Sequence, residues 1–308
     1  MLETPVLFIT FVRPDYARQT FDRIKAAQPQ KLYFYSNKGR VGQGDEIERN
    51  KEIRSYVNEI DWDCELHTWF REECVNVYDS IRGAISWLFE NEEQGIVLEE
   101  DCVPTKAFFS FCEQMIVKFR NDPRVWMISG DNYISYNPEG YDYIFSHMFQ
   151  IYGWASWRDR WNKIDWNLIS IDEFLQSDKI RYLFPQKKQY KDRVRIIKDN
   201  VTYLREKKCW DGIFHYTMFM NNAMCIYPKV LLVTNVGLVG THNNSKKFSI
   251  FNTKTTYSDD YYLIQNEPPF PFPNIKFENE MYKVTWKRPS FPMKVYLFFN
   301  SLINRLFK

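Results

Sequence analysis

Three consecutive acidic residues follow a short apolar run in the first third of the chain. The run Gly95-Ile-Val-Leu98 leads directly into Glu99, Glu100 and Asp101. Adjacent carboxylates repel one another, so they are best tolerated where a cation or hydrogen-bond donors compensate their charge. Oxygen ligands favour the hard ions Mg²⁺ and Mn²⁺ over zinc. The three acids therefore indicate either a divalent-metal site or a solvated acidic loop, and spacing alone does not decide between the two.

The elements that would position these acids have the pattern of a mostly parallel sheet wrapped by helices. Short apolar runs alternate with helix-period segments in the first half of the chain, and they predict strands over residues 6–12, 31–35, 65–70, 95–98 and 125–129. In open α/β sheets ligands bind outside the carboxyl ends of the strands. We therefore expect the acids to face a nucleotide and its divalent ion.

Helices are predicted between these strands from apolar spacing and from start signals. Pro14 supplies a fixed φ at the start of the first helix, and Thr105 opens a later one. Apolar residues recur at helical spacing from Val77 to Leu88. From about residue 140 the pattern becomes irregular and rich in Trp, Gly and Asn, which we interpret as loops around an acceptor pocket.

The composition is that of a folded globular chain. Of its 308 residues, 44% are apolar and 26% are charged, which excludes a disordered, collagen-like or multi-span membrane protein. A net charge of +2 argues against a nucleic-acid partner, because phosphate contacts need a basic excess on one face. Aromatic residues make up 18% of the chain. They hint at stacking on sugar rings or nucleobases, although most must belong to the core.

Cysteine and histidine do not form a metal-binding pattern. The six cysteines include no C-x-x-C pair and there are only four histidines, so a zinc site is not expected. No charged-then-apolar leader precedes Val6, and the cytoplasm is therefore the expected location.

The C-terminal part differs in character from the rest. Residues 267–273 read Glu-Pro-Pro-Phe-Pro-Phe-Pro, an extended connector. We predict one domain over residues 1–265 and an appended segment over 266–308. Residues 281–308 carry six Lys or Arg and no acid, and from residue 293 onward polar and apolar residues separate onto two sides of a helix. That helix would span about 24 Å, less than the roughly 30 Å hydrocarbon core. Residues 291–308 therefore predict either peripheral membrane contact or packing on protein.

Several motifs occur in an order typical of one enzyme family. They are Leu7-Phe-Ile-Thr-Phe-Val-Arg-Pro14, the Lys31–Arg40 strand and loop, Gly95-Ile-Val-Leu-Glu-Glu-Asp-Cys-Val-Pro104, Tyr152-Gly-Trp-Ala-Ser-Trp157 and Trp210-Asp-Gly212. Over residues 5–245 the chain resembles inverting GT-A glycosyltransferases, most nearly the bacterial family-2-type sugar transferases related to N-acetylglucosaminyltransferase I. The resemblance implies an α/β fold of the GT-A, Rossmann-like kind, with helices on both faces of a mostly parallel sheet and an amphipathic C-terminal helical tail.

The resemblance implies a donor site built on the three acids. Asp101 would hold Mn²⁺ or Mg²⁺ against the donor diphosphate, while Glu99 and Glu100 would orient the ribose or the donor sugar. Glu100 stands where the family usually has an Asp. Asn37 stands where the family often has an Asp that reads the nucleobase. An amide both donates and accepts, so it is compatible with uracil, and a UDP-sugar donor is favoured.

Three further residues could bind the metal or the diphosphate. His242, in Gly240-Thr-His-Asn-Asn244, resembles a C-terminal histidine that such enzymes place on one of these groups, although a lone histidine is more often structural. Arg13 and Arg40 each follow the carboxyl end of a predicted strand. They could stabilise the departing diphosphate, or they could be ordinary surface arginines.

Asp211 is at the position of the family's catalytic base. An inverting transfer needs a carboxylate to take the proton of the acceptor hydroxyl, and the flanking Trp210 would desolvate that carboxylate. The alternative role for Asp211 is an N-cap of the following helix. The acceptor side is predicted at four residues, of which the two tryptophans could equally be core: Asp131, Asn132, Trp154 and Trp157.

These features predict a metal-dependent inverting glycosyltransferase, a hexosyl- or N-acetylhexosaminyltransferase. It would use a glycan or lipid-linked glycan acceptor in bacterial surface polysaccharide assembly, in the cytoplasm or on the inner face of the cytoplasmic membrane. A sugar nucleotidyltransferase is the nearest alternative, but no glycine-rich phosphate loop follows the first strand. A non-catalytic polysaccharide-binding protein would explain the aromatic residues without any role for the acids.

Overall fold

Eight strands form one mixed, mostly parallel sheet with helices on both of its faces, and two shorter strands form a separate ribbon. The computed structural model describes residues 2–134, 136–137, 139–207, 209–237 and 253–286. The α/β architecture predicted from the alternating pattern is confirmed.

Five of the strands match the apolar runs from which strands are predicted. Those of the large sheet are β1 (Val6–Thr10), β2 (Lys31–Ser36), β3 (Glu65–Phe70), β4 (Gln94–Glu99), β6 (Val125–Ser129), β7 (Tyr143–Ser146), β8 (Trp154–Trp157) and β9 (Met224–Pro228). Those of the ribbon are β5 (Cys102–Pro104) and β10 (Val233–Asn235).

Ten α-helices, one 3₁₀ turn and one π-helical turn lie in the described ranges. The α-helices are α1 (Pro14–Ala27), α2 (Gly44–Ser55), α3 (Val77–Asn91), α4 (Lys106–Phe119), α5 (Arg158–Trp161), α6 (Ile171–Gln176), α7 (Lys179–Leu183), α8 (Lys187–Lys207), α9 (Trp210–Met220) and α10 (Ile275–Met281). The 3₁₀ turn spans Tyr56–Glu59 and the π-helical turn spans Tyr282–Trp286.

The strand order β3-β2-β1-β4-β8-β6-β9-β7 places the four parallel strands β3, β2, β1 and β4 side by side. In register, Ile9 pairs with Glu99 and Thr10 pairs with Ser36. The carboxyl ends of β1, β2 and β4 therefore meet at one edge of the sheet. This is the edge at which open α/β sheets bind their ligands.

Two apolar clusters, one on each face, hold the sheet. In β1, Leu7 and Ile9 face one cluster while Val6 and Phe8 face the other, as the twofold alternation of a strand requires. Helices α3 and α9 cover the first face, and α1 and α4 cover the second. Because both faces are buried there, the parallel strands β1, β2 and β4 are mostly apolar, whereas the edge strand β3 is half-exposed.

The segment after residue 140 is not the set of acceptor loops that the sequence predicts. It contains β7 and β8, and β8 pairs antiparallel with both β4 and β6 in the middle of the sheet. All four residues of β8 are buried. The Gly153-Trp-Ala-Ser-Trp157 run is short and bounded by Gly153 at a positive φ of 79°, so it lacks the length by which a strand is usually recognised.

The ribbon brings a distant part of the chain onto the acidic strand end. Strand β10 pairs antiparallel with β5, and the Val236 N–H donates to the carbonyl of Asp101 at 2.9 Å. A Cβ on Gly237 would lie 2.2 Å from Asp101 Oδ2, so only glycine leaves room for that carboxylate. Asp101 is thereby covered by the residues that follow β10.

The C-terminal part of the described chain is tied to the main sheet. Asp142 accepts the N–H groups of Gln265 and Asn266 at 2.7 and 2.8 Å, and the carbonyl of Phe145 accepts the Asn274 N–H at 2.8 Å. The expected division at residue 266 stays a prediction. Residues 291–308 lie outside the described residues. Within those ranges, none of the helices combines the length and the apolar character needed to cross a bilayer.

Candidate functional site

The three acids follow one another from the last residue of β4 into the turn before β5. They do not share one environment. Glu99 is partly exposed, Glu100 is buried, and Asp101 exposes 15% of its side chain. Their chemistry therefore differs from one residue to the next.

Glu100 anchors the loop after β1. Its Oε2 accepts the Phe11 N–H at 2.7 Å, its Oε1 accepts Arg13 Nε at 2.5 Å, and its carbonyl accepts Thr20 Oγ1 at 3.0 Å. Burial raises the pKa of Glu100, and the Arg13 guanidinium opposes that rise. Because both carboxylate oxygens are engaged within the protein, Glu100 positions Arg13 rather than standing free to orient a sugar or ribose.

Arg13 joins two of the three acids. Besides Glu100, its Nη1 lies 3.0 Å from Asp101 Oδ2. Burial lowers the pKa of Arg13, but Asp101 and Glu100 outweigh it and raise that pKa above its ordinary value. The guanidinium is therefore a permanent positive charge at the acidic strand end.

Glu99 is the acid left without such a partner. Its carboxyl makes no hydrogen bond or ion pair within the described ranges. Burial, with added repulsion from Asp101 and Asp211, raises its pKa to about 8, while Arg13 acts in the opposite direction. A carboxylate this poorly compensated next to two others favours the approach of a cation.

A cavity of about 380 Å³ opens at this edge of the sheet. All five residues predicted to bind the donor line it: Arg13, Asn37, Arg40, Glu99 and Glu100. The ends of β1, β2 and β4 contribute these side chains, and the start of α3 closes the opposite wall with Asn76 and Val77. The volume is in the range of pockets that hold small ligands.

Asn37 is held in a way that the sequence did not predict. Its Nδ2 donates to the Val75 carbonyl at 2.9 Å, and its Oδ1 accepts the N–H groups of Val75 and Lys38, both at 3.1 Å. The amide is thus a clamp between the loops after β2 and β3. It would have to give up these bonds before it could pair with a nucleobase.

Arg40 is engaged on the same side of the cavity. Its Nε lies 2.9 and 3.0 Å from the two carboxylate oxygens of Glu46, and its Nη2 also contacts Glu46. The partner lies at the start of α2, so Arg40 bridges that helix and the cavity rim.

Asp211 lies in the first turn of α9. The helix begins at Trp210 with Cys209 as its N-cap, so the N-cap alternative for Asp211 does not hold. Cys209 Sγ donates to Asp211 Oδ1 at 2.7 Å. Burial, followed by the charge of Asp211, raises the pKa of Cys209 to about 12, so the thiol keeps the proton that it donates.

A second cavity of about 370 Å³ opens beside Asp211. Tyr152, Asn200, Tyr203 and Tyr216 also line it. Glu99 lines the first cavity, and the charge of Asp211 raises the pKa of Glu99, so the two carboxyls lie within electrostatic reach of each other. Sequence reasoning gave no role to the residues from α8, since helix positions so far from any motif carry no local signal.

The four residues expected on the acceptor side are buried instead. Asp131 accepts Tyr133 Oη at 2.8 Å and the Tyr152 N–H at 3.2 Å, and Asn132 donates to the Pro228 carbonyl at 2.9 Å. Burial raises the pKa of Asp131 well above its usual range. These two side chains serve the fold from inside the protein.

The two tryptophans of β8 also lie in the core. Trp154 and Trp157 are 1% and 0% exposed, so neither presents a ring face to a sugar. Trp154 stacks on Trp210 at 6.3 Å and supports the helix that carries Asp211. Every tryptophan whose side chain the structure describes is buried or half-buried.

His242 lies outside the described residues, so of the two expected metal ligands the structure describes only Asp101. Within the described ranges, no group of three or more His, Cys, Asp or Glu side chains could hold an ion. Glu99, which lines the first cavity, and Asp101, whose charge raises the pKa of Glu99, nonetheless offer two hard oxygen donors. Such a two-carboxylate site suits Mg²⁺, which proteins bind through one or two carboxylates together with substrate phosphates.

Comparison with known proteins finds no close relative. No family model and no curated protein matches the sequence. The resemblance to family-2-type sugar transferases and N-acetylglucosaminyltransferase I therefore stays a prediction.

Solved structures show limited similarity. A mannosyltransferase from Pyrobaculum calidifontis in complex with GDP-Man and Mn²⁺ is 15% identical with a TM-score of 0.33, and the match covers 51% of this chain and 45% of that one. An apo UDP-glucose pyrophosphorylase is 9% identical with a TM-score of 0.30, covering 52% and 79%. A glycosyltransferase involved in the glycosylation of the major capsid of PBCV-1 is 12% identical with a TM-score of 0.27, covering 60% and 77%. Similarity at this level transfers no activity to this chain.

Proposed function

We propose that this protein is a glycosyltransferase that moves a sugar from a nucleoside-diphosphate donor to an acceptor hydroxyl with inversion. The observation that carries the proposal is that a carboxyl lines each of two cavities and that these two carboxyls interact electrostatically. Glu99 lines the first cavity, Asp211 lines the second, and the charge of Asp211 reaches Glu99. A transfer between two bound substrates needs such a junction.

The first cavity would take the donor. It lies at the carboxyl ends of parallel strands, where nucleotides bind in open α/β sheets. The apolar walls from Ile9, Val75 and Val77 suit a base and ribose, and Arg13 supplies positive charge for a diphosphate. A UDP-sugar is the favoured donor.

Asp211 would be the general base. Its carboxylate faces the second cavity, where an acceptor hydroxyl would surrender its proton as its oxygen attacks the anomeric carbon. The Cys209 thiol donates to one oxygen of Asp211 and leaves the other free for that proton. Aromatic and amide side chains around it, from Tyr152, Tyr203 and Asn200, suit a glycan acceptor.

Asp101 and Glu99 would hold Mn²⁺ or Mg²⁺ together with the donor phosphates, and His242 would be a further ligand. The ion would offset the negative charge of the departing nucleoside diphosphate. Residues 291–308 would bring the enzyme to the inner face of the cytoplasmic membrane, where lipid-linked acceptors of surface polysaccharide are assembled.

The tryptophans give no support to the alternative of a polysaccharide-binding protein. Such proteins bind glycans on exposed aromatic faces, and Trp154 and Trp157 offer none.

The test is a screen of purified nucleotide sugars, scored by release of free nucleoside diphosphate, alongside calorimetry with UDP, GDP and CMP. Metal-dependent binding of one nucleotide, with turnover of the matching sugar donor, is the expected result. Glycan binding without any nucleotide binding would overturn the proposal in favour of the binding-protein alternative.

A further inference from the structure

A guanidinium already occupies the position at which a metal would meet the acidic strand end. Arg13 Nη1 lies 3.0 Å from Asp101 Oδ2, and Arg13 Nε lies 2.5 Å from Glu100 Oε1. Asp101 is one of the two carboxylates that a divalent ion would use. An ion bound at Asp101 and the Arg13 guanidinium, which contacts Oδ2, would therefore compete for the same carboxylate.

The two ends of this contact are not equally fixed. At the Nε end, Glu100 is buried and also accepts the Phe11 N–H at 2.7 Å, so the guanidinium is anchored to the β1–α1 loop. At the Nη1 end, Asp101 exposes 15% of its side chain and the arginine exposes 23%. A small rotation about the Glu100 contact would separate Nη1 from Asp101 without breaking the anchor.

The neighbouring acid shows that one guanidinium does not satisfy the whole strand end. The Glu99 carboxyl has no hydrogen-bonding partner within the described ranges, and it lies beside Asp101 and against the first cavity. A divalent ion that took Asp101 from Arg13 would also compensate Glu99, which Arg13 does not bind.

We propose that Arg13 is an internal counter-cation that must release Asp101 before a divalent ion can bind there. The exchange has two consequences. The metal-free protein binds the ion weakly, because the ion must displace an existing ion pair. The released Nη1, still on its Glu100 anchor, lines the first cavity and becomes available to an anion. The second consequence rests on the proposed function, whereas the first does not.

The test measures binding of Mn²⁺ alone to the full chain, by calorimetry and by electron paramagnetic resonance, with no nucleotide or acceptor present. Arg13→Gln removes the competing charge, and we expect it to tighten Mn²⁺ binding by roughly tenfold. Arg13→Lys keeps the positive charge on a side chain that cannot contact both acids at once. We expect it to raise Mn²⁺ affinity by roughly threefold. Combining Arg13→Gln with Asp101→Asn should remove the gain.

Arg18→Gln is the matched control. Arg18 is also an α1 arginine in an ion pair, but its partner is Glu59, at 2.7 Å. The Arg18→Gln variant should bind Mn²⁺ with the affinity of the wild type. If Arg13→Gln fails to fold, Arg13→Lys alone decides. Unchanged or weaker Mn²⁺ binding in the folded Arg13 variants, including no binding at all, would overturn the exchange. A failed donor screen would count against the proposed function and would leave this measurement standing.

Discussion

Asp211 lines the second cavity, and its charge raises the pKa of Glu99, which lines the first. Asp211→Asn keeps the size of the side chain but cannot accept a proton, so transfer should fall by roughly 10²- to 10⁴-fold. Nucleotide affinity should stay within about twofold, because the donor cavity does not include Asp211. Steady-state kinetics and nucleotide calorimetry on the same preparation measure the two effects.

Asp178→Asn is the control for this variant. Asp178 is exposed, pairs with the neighbouring Arg181, and belongs to neither cavity lining. It should keep full transfer and full affinity. Wild-type turnover in Asp211→Asn would remove the base assignment, while loss of nucleotide binding would show that the change disturbs the donor cavity.

Glu99 gives a pH dependence whose sign is fixed by its environment. Its pKa is about 8 in the folded chain, against an ordinary value of 4.5. The folded state holds the proton more tightly than the unfolded state, so the free energy of unfolding falls as pH rises through this window. Glu99→Gln removes the effect. At pH 8 without metal, the variant should be more stable than the wild type by about 1–3 kcal/mol.

Urea unfolding at pH 4 and pH 8 measures this difference, which should be absent at the lower pH because both states then carry the proton. The exposed Glu90, on α3, supplies the control Glu90→Gln. The same stabilisation at both pH values would show that Glu99→Gln acts through packing and not through its charge.

The sequence located the acids and Asp211 but not their partners. Glu99, Glu100 and Asp101 were identified because three acids ended an apolar run, which is a local signal. The contact of Arg13 with Glu100 and Asp101 joins residues 87 or more positions apart in sequence. The engagement of Asn37 by Val75 likewise depends on how two loops meet. Neither contact follows from composition or periodicity.

At the scale of elements, the Asn37 clamp holds together two loops that line the first cavity. It satisfies both the N–H and the carbonyl of Val75. Asn37→Ala leaves both groups without that partner and should lower the free energy of unfolding by about 1–3 kcal/mol. Urea denaturation measures the change. Asn91→Ala is the control, because Asn91 Nδ2 reaches only the Trp87 carbonyl at an exposed helix end, and it should cost less than Asn37→Ala.

The same pair of variants separates a clamp from a base-reading side chain. If Asn37 is a clamp, Asn37→Ala should loosen the loops after β2 and β3 that line the first cavity. Binding of UDP, GDP and CMP should then weaken to a similar extent. A selective loss of one nucleotide with unchanged stability would instead support direct reading of the base by Asn37.

Element prediction succeeded where burial made the pattern simple. Strands β3 and β6 have the bounds that their apolar runs predict, and α1 begins at Pro14 as expected. The prediction failed at β8, because this strand has only four residues and is too short to give a recognisable strand pattern in the sequence. Its position between β4 and β6 comes from tertiary pairing. The irregular sequence around β8 therefore predicts a loop, although this strand lies in the centre of the sheet.

For the whole molecule, the parallel and antiparallel parts of the sheet contribute to different cavities. The parallel half, β3-β2-β1-β4, supplies the carboxyl ends that form the first cavity. The antiparallel insertion of β8 then lets Trp154 support Trp210 and α9, which carries Asp211. One half of the sheet thus shapes the first cavity, and the other half supports the helix whose Asp211 lines the second.

The basic C-terminal sequence predicts attachment to an anionic membrane surface. Residues 291–308 include Lys294, Arg305 and Lys308 and no acid. Each basic side chain near an anionic leaflet contributes about 1 kcal/mol. A chain ending at residue 290 should therefore lose at least about tenfold in affinity for vesicles containing phosphatidylglycerol, with nucleotide affinity unchanged. Co-sedimentation measures the vesicle binding.

Two controls separate charge from apolar contact in this segment. Replacing Lys294, Arg305 and Lys308 by Gln keeps the apolar side of the helix, so it should reproduce most of the loss if attraction to the leaflet is electrostatic. Vesicles of phosphatidylcholine alone should bind the full chain weakly, and 0.5 M salt should weaken binding to the anionic ones. If the shortened chain binds anionic vesicles as well as the full chain does, the segment packs on protein, and the acceptor need not be lipid-linked.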